Sequence, residues 1–332
     1  MPVATDRPVR WGIMATGKIA TGFAENLSLL ADAEIAAVGA RQLESAQAFT
    51  ARFGGRAYGS YAELVADPEV DVVYVATPHA LHKQHVLLAF EAGKPVLCEK
   101  ALTLNARDAE ELVAVAREKK LFFMEAMWMR CNPVIRRVKQ LVDAGELGRI
   151  QQIRADLGWL VDLPETDRLL APELGGGALL DMGVYPLTLA HLLLGDPEKV
   201  QAVAEMSSSG IDLNIAISLG WRSGAVAALS STMTAWSPRT ASIATDRGRL
   251  DLGEAFHHPT DATWVCNGES TTISGEVVGT GLANEAMEVM RCLRNGEIES
   301  PLVPLDDTVA IMRLVDRIRE RIGLRYDAVV AG

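Results

Sequence analysis

The stretch VRWGIMATGKIA, residues 9–20, decides the fold. Val9 to Met14 is a short apolar run of the kind that makes a buried strand. Small residues follow at Ala15-Thr16-Gly17, and then Ile19, Phe23, Leu27 and Leu30 recur at helical spacing. A strand that turns through small residues into a helix brings free N–H groups and the positive end of a helix dipole to one point, which suits a pyrophosphate. Gly12, Ala15, Thr16, Gly17, Lys18 and Ile19 are therefore candidate dinucleotide contacts. The loop departs from the G-x-G-x-x-G pattern, because Ala15 and Ala20 stand where its first and third glycines would be. Ordinary strand–helix turns also use small residues, so the neighbouring segments carry much of the reading.

Those neighbours repeat the same grammar. Residues 34–39 form a second apolar run, followed by a polar helix through Ala46, Phe49 and Phe53. DVVYVA, residues 71–76, reads as a third strand broken by Thr77-Pro78. A helix over about 81–92 ends at Gly93, with Pro95 beyond it as a stop signal. Residues 96–98 make a fourth strand, Asn105 caps a helix with Ala109, Leu112, Val113 and Ala116 on one face, and residues 122–125 make a fifth. Alternation of this kind argues for an α/β, doubly wound parallel sheet, a Rossmann domain over residues 1–126.

Beyond about residue 130 the pattern changes. A helix over 133–144 precedes a long run at 150–161, and the triplet Gly175-Gly176-Gly177 introduces an apolar helix ending near Gly195. The runs VQAVAEM, LNIAISL, AVAALSSTM and ASIAT follow, and helices near 281–295 and 306–322 close the chain. Residues 127–332 are thus expected to form an α+β domain on an open, mostly antiparallel sheet.

Composition narrows the function. At 332 residues the chain exceeds the roughly 250–300 at which single cores stop growing, in line with two domains. A net charge of -11, from 43 acidic against 32 basic residues, argues against a nucleic-acid binder. Cys98, Cys131, Cys266 and Cys292 show no paired spacing, so neither a disulfide framework nor a zinc site is indicated. No segment reads as spanning a bilayer, and a soluble, cytoplasmic protein is expected.

Several residues stand out as candidates for chemistry. The tip of the second strand, Val38-Gly39-Ala40-Arg41-Gln42, holds no acid for a ribose 2′-hydroxyl, whereas Arg41 suits a 2′-phosphate. NADP is therefore expected over NAD, unless Arg41 is merely a solvated surface residue. His79, His82 and His85 invite a metal reading, but no Asp or Glu lies among them to complete a ligand set. No metal is expected; the run opens the helix after the third strand, with His82 near the cofactor and the other two as polar surface. Glu99-Lys100 follows the fourth strand at the ligand-binding edge, together with Thr77 and Pro78. Asp181 and Tyr185 lie four apart on the later helix, a spacing that shares a face. Trp159 and Trp236 read either as pocket walls or as core.

WGIMATGKIA, AYGSYAELVADPEVDVVYVATPHALHKQHV, AGKPVLCEK, LFFMEAMWMRCNP and GGGALLDMGVYP together resemble the Gfo/Idh/MocA oxidoreductases. Within that family the chain looks most similar to the dimeric dihydrodiol dehydrogenase and NADP-dependent D-xylose dehydrogenase branch. The resemblance implies a Rossmann domain and an α/β domain whose open sheet often serves as a dimer interface, hence a homodimer. It implies that Lys100 is the lysine of the family's E-K-P motif, and that Asp181 and Tyr185 belong to D-x-G-x-Y/H. His82 and the stretch 125–130, with Trp128 and Arg130, match segments lining the nicotinamide end. Ala101 replaces the usual proline after Lys100, and Cys131 stands where an aromatic is common.

The chemistry implied is reversible hydride transfer between the nicotinamide and a carbinol carbon, which needs a base for the hydroxyl proton. Tyrosine alone titrates near 10, and a nearby ammonium favours the phenolate. Tyr185 is thus the expected acid/base and Lys100 the cation that tunes it, with direct proton transfer by Lys100 as the alternative. Asp181 would orient the pair or bind a second hydroxyl. A small, polyhydroxylated substrate is expected: sugars, inositols and aromatic trans-dihydrodiols are all handled by relatives. Two rival readings are a sugar oxidoreductase that keeps its nicotinamide tightly bound and a non-catalytic NADP-binding sensor.

Overall fold

A computed structural model describes residue 3 and residues 6–326. The chain divides into two compact units, one of residues 1–103, 107–131 and 277–309, the other of 104–106, 132–276 and 310–332.

The first unit is built on β1 (Val9–Met14), β2 (Ala33–Gly39), β3 (Arg56–Tyr58), β4 (Val72–Val75), β5 (Val96–Glu99) and β6 (Phe123–Ala126). They form one sheet in the order β3-β2-β1-β4-β5-β6, with every pairing parallel. The apolar runs make central strands because both faces are covered, and β4 and β5 are buried at every residue. Trp11, Phe23 and Tyr74 fill the core, the first pair edge-on with centroids 5.2 Å apart and the second stacked at 3.9 Å. The sheet has six strands where the sequence pattern predicts five. β3 is three residues long, too short to show a period, and none of its side chains is buried.

Connecting these strands are α1 (Lys18–Leu27), α2 (Leu43–Phe53), α3 (Tyr61–Ala66), α4 (His82–Glu91) and α5 (Ala106–Lys119). The chain order reverses at β1, whose neighbours are β2 and β4, and that is where open α/β sheets bind ligands. Residues 277–309 also belong to this unit rather than to the C-terminal half, so the division differs from a single cut near residue 126. Buried polar contacts carry them: Asn26 hydrogen-bonds Thr280, and Glu125 accepts from the Thr308 hydroxyl at 2.9 Å.

In the second unit, α6 (Pro133–Asp143) starts under the Asn132 side chain, which accepts the Val134 and Ile135 N–H groups. β7 (Ile150–Gly158) follows, then a five-residue π-turn, Leu179–Gly183, that continues into α7 (Val184–Leu194). β8 (Lys199–Met206), β9 (Asp212–Gly220), β10 (Val226–Thr232), β11 (Ala241–Thr245), β12 (Arg249–Leu252), β13 (Asp261–Cys266) and β14 (Glu269–Ser274) complete a sheet of order β14-β13-β12-β11-β7-β10-β9-β8. Only β7 and β10 pair in parallel, so the sheet is mostly antiparallel. Polar β14, ESTTIS, carries no apolar alternation and goes unseen in the sequence pattern. Two helices end the chain: α8 (Leu282–Asn295) in the first unit, and α9 (Leu305–Ile322), which enters the second from residue 310.

The expectation that no segment spans a bilayer meets one long apolar stretch. Pro172–Leu194 is long enough, and over an 18-residue window of mean hydropathy 1.4 apolar enough, to cross a membrane. Its apolar 18-residue window is 89% buried inside the protein, which marks the stretch as core. Trp236, by contrast, is not core, being 72% exposed, and Trp159 is half-buried.

Candidate active site

Because the first sheet is parallel, the C-terminal ends of all its strands lie along one edge. That edge carries Ala15–Lys18 after β1, Arg41 after β2, Thr77 and Pro78 after β4, Lys100 after β5 and Trp128 after β6. Ala15 has a left-handed φ of 86°, the conformation that explains a glycine at this position in the usual motif. Gly17 is the N-cap of α1, and a β-carbon built on it would meet nothing within 4 Å. Among the described residues no side chain caps that helix, and no acid sits in its first turn. The first-turn N–H groups and the helix dipole are thus available to a pyrophosphate, and the residues present fit a dinucleotide. Gly12 has a different cause: its β-carbon would lie 2.8 Å from Val70, so packing of the strand demands a glycine there.

Arg41 is exposed, and among the described residues no carboxylate pairs with it. Its charge reaches Tyr61 and His85, whose rings meet edge-on with centroids 4.7 Å apart. Burial first, then the charges of His82 and Arg41, holds His85 at about 4, so this imidazole is neutral.

The three histidines are all buried, which corrects the expectation of polar surface for His79 and His85. Their ring nitrogens lie against backbone carbonyls, the Thr77 hydroxyl and, for His85 Nε2, the Gln84 amide at 3.3 Å. His82 Nε2 lies 2.7 Å from the Thr77 carbonyl, and its Nδ1 lies 3.0 and 3.1 Å from the carbonyls of Ala101 and Leu102. His79 Nε2 is 3.0 Å from the Lys100 carbonyl, and His85 Nδ1 is 3.0 Å from Thr77 Oγ1. The pair His79 and His82 therefore fixes the backbone on both sides of the Lys100–Ala101 bond, which is cis.

Acidic groups lie beneath that turn. Glu99 is buried and accepts the Tyr74 hydroxyl. Glu125 accepts the Leu102 N–H at 3.0 Å and is pushed up to about 7, chiefly by burial. Burial and the Glu99 charge drive the Glu285 carboxyl, on α8, well above the usual carboxylate range. Arg130 spends two donors within this unit, on the Leu302 carbonyl and on Asp307, each at 2.7 Å.

In the second unit, the π-turn holds Asp181 and the first turn of α7 holds Tyr185; both are buried, the tyrosine 6% exposed. π-Turns recur at functional positions. Asp181 accepts from Arg168 at 3.0 Å, and the Tyr185 ring lies 4.9 Å from that of His257. Burial, aided by the charge of Arg239, lowers the neighbouring His258 below the ordinary imidazole value. Neither Arg168 nor His257 stands out in the sequence. The only signal was the loop tripeptide His257-His258-Pro259, whose proline carbonyl accepts from the Asn132 side chain at 3.0 Å.

Residues 9–127 match the oxidoreductase family with an NAD-binding Rossmann fold, and residues 135–251 match the Gfo/Idh/MocA C-terminal domain. A trans-1,2-dihydrobenzene-1,2-diol dehydrogenase of Xenopus tropicalis is 35% identical over 96% of this chain and 99% of its own. An NADP(+) D-xylose 1-dehydrogenase of Hypocrea jecorina is 37% identical over 97% of this chain and 94% of its own. Among solved structures, KijD10, a 3-ketoreductase from Actinomadura kijaniata in complex with NADP and TDP-benzene, superposes with a TM-score of 0.85 at 30% identity. That alignment covers 95% of this chain and 98% of KijD10. Sheet edge, uncapped helix and relatives define an oxidoreductase that uses a nicotinamide dinucleotide on CH–OH groups. The chain belongs to the Gfo/Idh/MocA family.

Proposed function

We propose that this protein is an NADP-preferring dehydrogenase that oxidises, or in reverse reforms, one carbinol of a polyhydroxylated sugar or an aromatic trans-dihydrodiol. The observation that carries the reading is the pairing of an uncapped, open α1 N-terminus with an exposed Arg41, and no acid, at the tip of β2. Ala15, Thr16, Gly17, Lys18 and Ile19 hold the pyrophosphate, and Arg41 takes the 2′-phosphate through charge-assisted hydrogen bonds. When bound, the nicotinamide accepts or returns the hydride. Tyr185 takes the hydroxyl proton of the carbinol as the C–H bond breaks, and returns it in the reverse direction. Lys100 supplies an ammonium, which favours a phenolate and binds the reacting oxygen. Asp181, held by Arg168, orients the tyrosine or a second substrate hydroxyl.

A homodimer through the second unit's sheet fits its open face. On β8, β9 and β10, Val203, Ala216 and Ser230 stand in register and exposed. A cytoplasmic setting fits four unbridged cysteines, three of them buried. The test is steady-state turnover with NADP and NADPH across sugars, inositols and trans-dihydrodiols, comparing the wild type with Tyr185→Phe. A drop of about 10³-fold or more in kcat with NADPH affinity kept supports the assignment. Wild-type turnover by the variant would remove Tyr185 from the mechanism.

A further inference from the structure

The start of the segment that bears Asp181 and Tyr185 is held by a side chain distant in sequence. Asp212, the first residue of β9, is fully buried, and its Oδ2 accepts the Leu179 N–H at 2.7 Å. Leu179 opens the π-turn, two residues before Asp181 and six before Tyr185. A carboxylate at this point satisfies an orphan N–H and complements the positive end of the helix.

The glycine triplet is shaped around the same contact. Gly177 has φ +124°, and a β-carbon on it would lie 2.3 Å from Asp212 Oδ1 and 3.3 Å from the Tyr326 hydroxyl. On Gly176 a β-carbon would meet the Leu169 carbonyl at 2.7 Å, and that carbonyl accepts the Gly177 N–H at 2.9 Å. Tyr326 donates to the Gly176 carbonyl at 2.7 Å, and the Arg319 guanidinium covers its ring at 4.8 Å. Any side chain at 176 or 177 would thus push out the carboxylate or the Leu169 segment, which precedes Ala171 and follows Arg168, the partner of Asp181.

We infer that Asp212 is a positioning residue: its carboxylate clamps the N-terminus of the Leu179–Leu194 helical segment and thereby sets where Asp181 and Tyr185 stand. The inference rests on the reading of those two residues as reacting groups. Among the described residues, the groups facing the clamp are Tyr326 and Arg319, the latter bonded to Asp316. Burial raises Asp212 to about 6, against the Leu179 hydrogen bond and the Arg319 charge, which both lower it. The charge-assisted bond is therefore at full strength above about pH 6 and weakens as the carboxylate gains a proton below it.

The experiment is a kcat and KM profile from pH 5 to 8.5 for the wild type, Asp212→Ala, Asp212→Asn and Tyr185→Phe. Asp212→Ala is expected to lower kcat by about tenfold or more with the KM for NADPH unchanged, since small misplacements of reacting groups have effects of that size. Asp212→Asn keeps an acceptor without a titrating group, so it should restore most of kcat and lose the acid limb expected of the wild type near pH 6. If Asp212→Ala does not fold, the limb in Asp212→Asn decides alone. An unchanged kcat in Asp212→Ala, or a limb kept in Asp212→Asn, overturns the clamp while a dead Tyr185→Phe leaves the proposed function standing. A fully active Tyr185→Phe overturns both.

Discussion

The edge of the first sheet and the π-turn of the second unit hold their functional groups by opposite means. At the edge, position follows from the chain's local grammar: parallel strands all end on one side, and each end delivers the next one or two residues there. In the π-turn, position comes from afar. Asp212 on β9, Tyr326 after α9 and Arg168 before the glycine triplet converge on a segment whose own sequence does not call for them. A site written into strand ends tolerates drift elsewhere in the chain, whereas a site held by remote buried polar groups depends on every one of them.

The largest effect sharpens this contrast on the edge side. Lys100→Met should lower kcat by about 10³-fold or more in steady-state assays while NADPH binding, followed by tryptophan quenching, changes little. If Lys100 served only to bind cofactor, the quenching titration would move instead of kcat.

Below the same turn, Glu125 is pushed up from 4.5 to about 7 by burial, so the folded chain favours its neutral form. The stability this gives is complete below about pH 4.5 and is lost as pH rises through 7. Between pH 4.5 and 8 the wild type should therefore lose about 3 kcal/mol more than Glu125→Gln, measured by urea unfolding at each pH. Parallel pH curves would show that Glu125 titrates alike in the folded and unfolded chain, with no upward shift.

Arg41→Ala tests how far the edge discriminates. Loss of a hydrogen-bonded charge is worth roughly 1.5–3 kcal/mol, so NADPH should bind about 10–100-fold more weakly with NADH unaffected. Equal losses for both cofactors would make Arg41 a general anchor.

The smallest effect concerns Ala15. Its left-handed φ carries roughly 1–2 kcal/mol of strain, while glycine gives back about 0.5–1 kcal/mol through chain entropy. Strain wins by a narrow margin, and Ala15→Gly should raise stability by up to about 1 kcal/mol with cofactor affinity unchanged.

What the sequence makes legible follows the same divide. Runs such as DVVYVA and the stop at Gly93 place β4 and α4 within a residue or two, and the loop after β1 reads as a phosphate cradle despite its alanine. β3 and β14 escape because three residues, or six with a single apolar one, leave no hydrophobic period to detect. The histidine run misleads for a related reason: spacing cannot tell a surface imidazole from one buried against the Lys100 carbonyl, as His79 is, or the Thr77 hydroxyl, as His85 is, which only the fold brings together. Arg168, Asp212 and His257 escape because nothing local marks them.

The return of residues 277–309 to the first unit has a bearing on how the chain is made. A nascent chain emerging N-terminus first already carries all six strands of the nucleotide sheet by residue 126. Yet Asn26, Glu125 and Arg130 then wait for Thr280, Thr308, Leu302 and Asp307, which leave the ribosome only after the entire second sheet has been synthesised. The first domain to begin folding is among the last to be finished, and a ribosome stalled at residue 276 would hold a nucleotide domain with three buried polar side chains still lacking these partners.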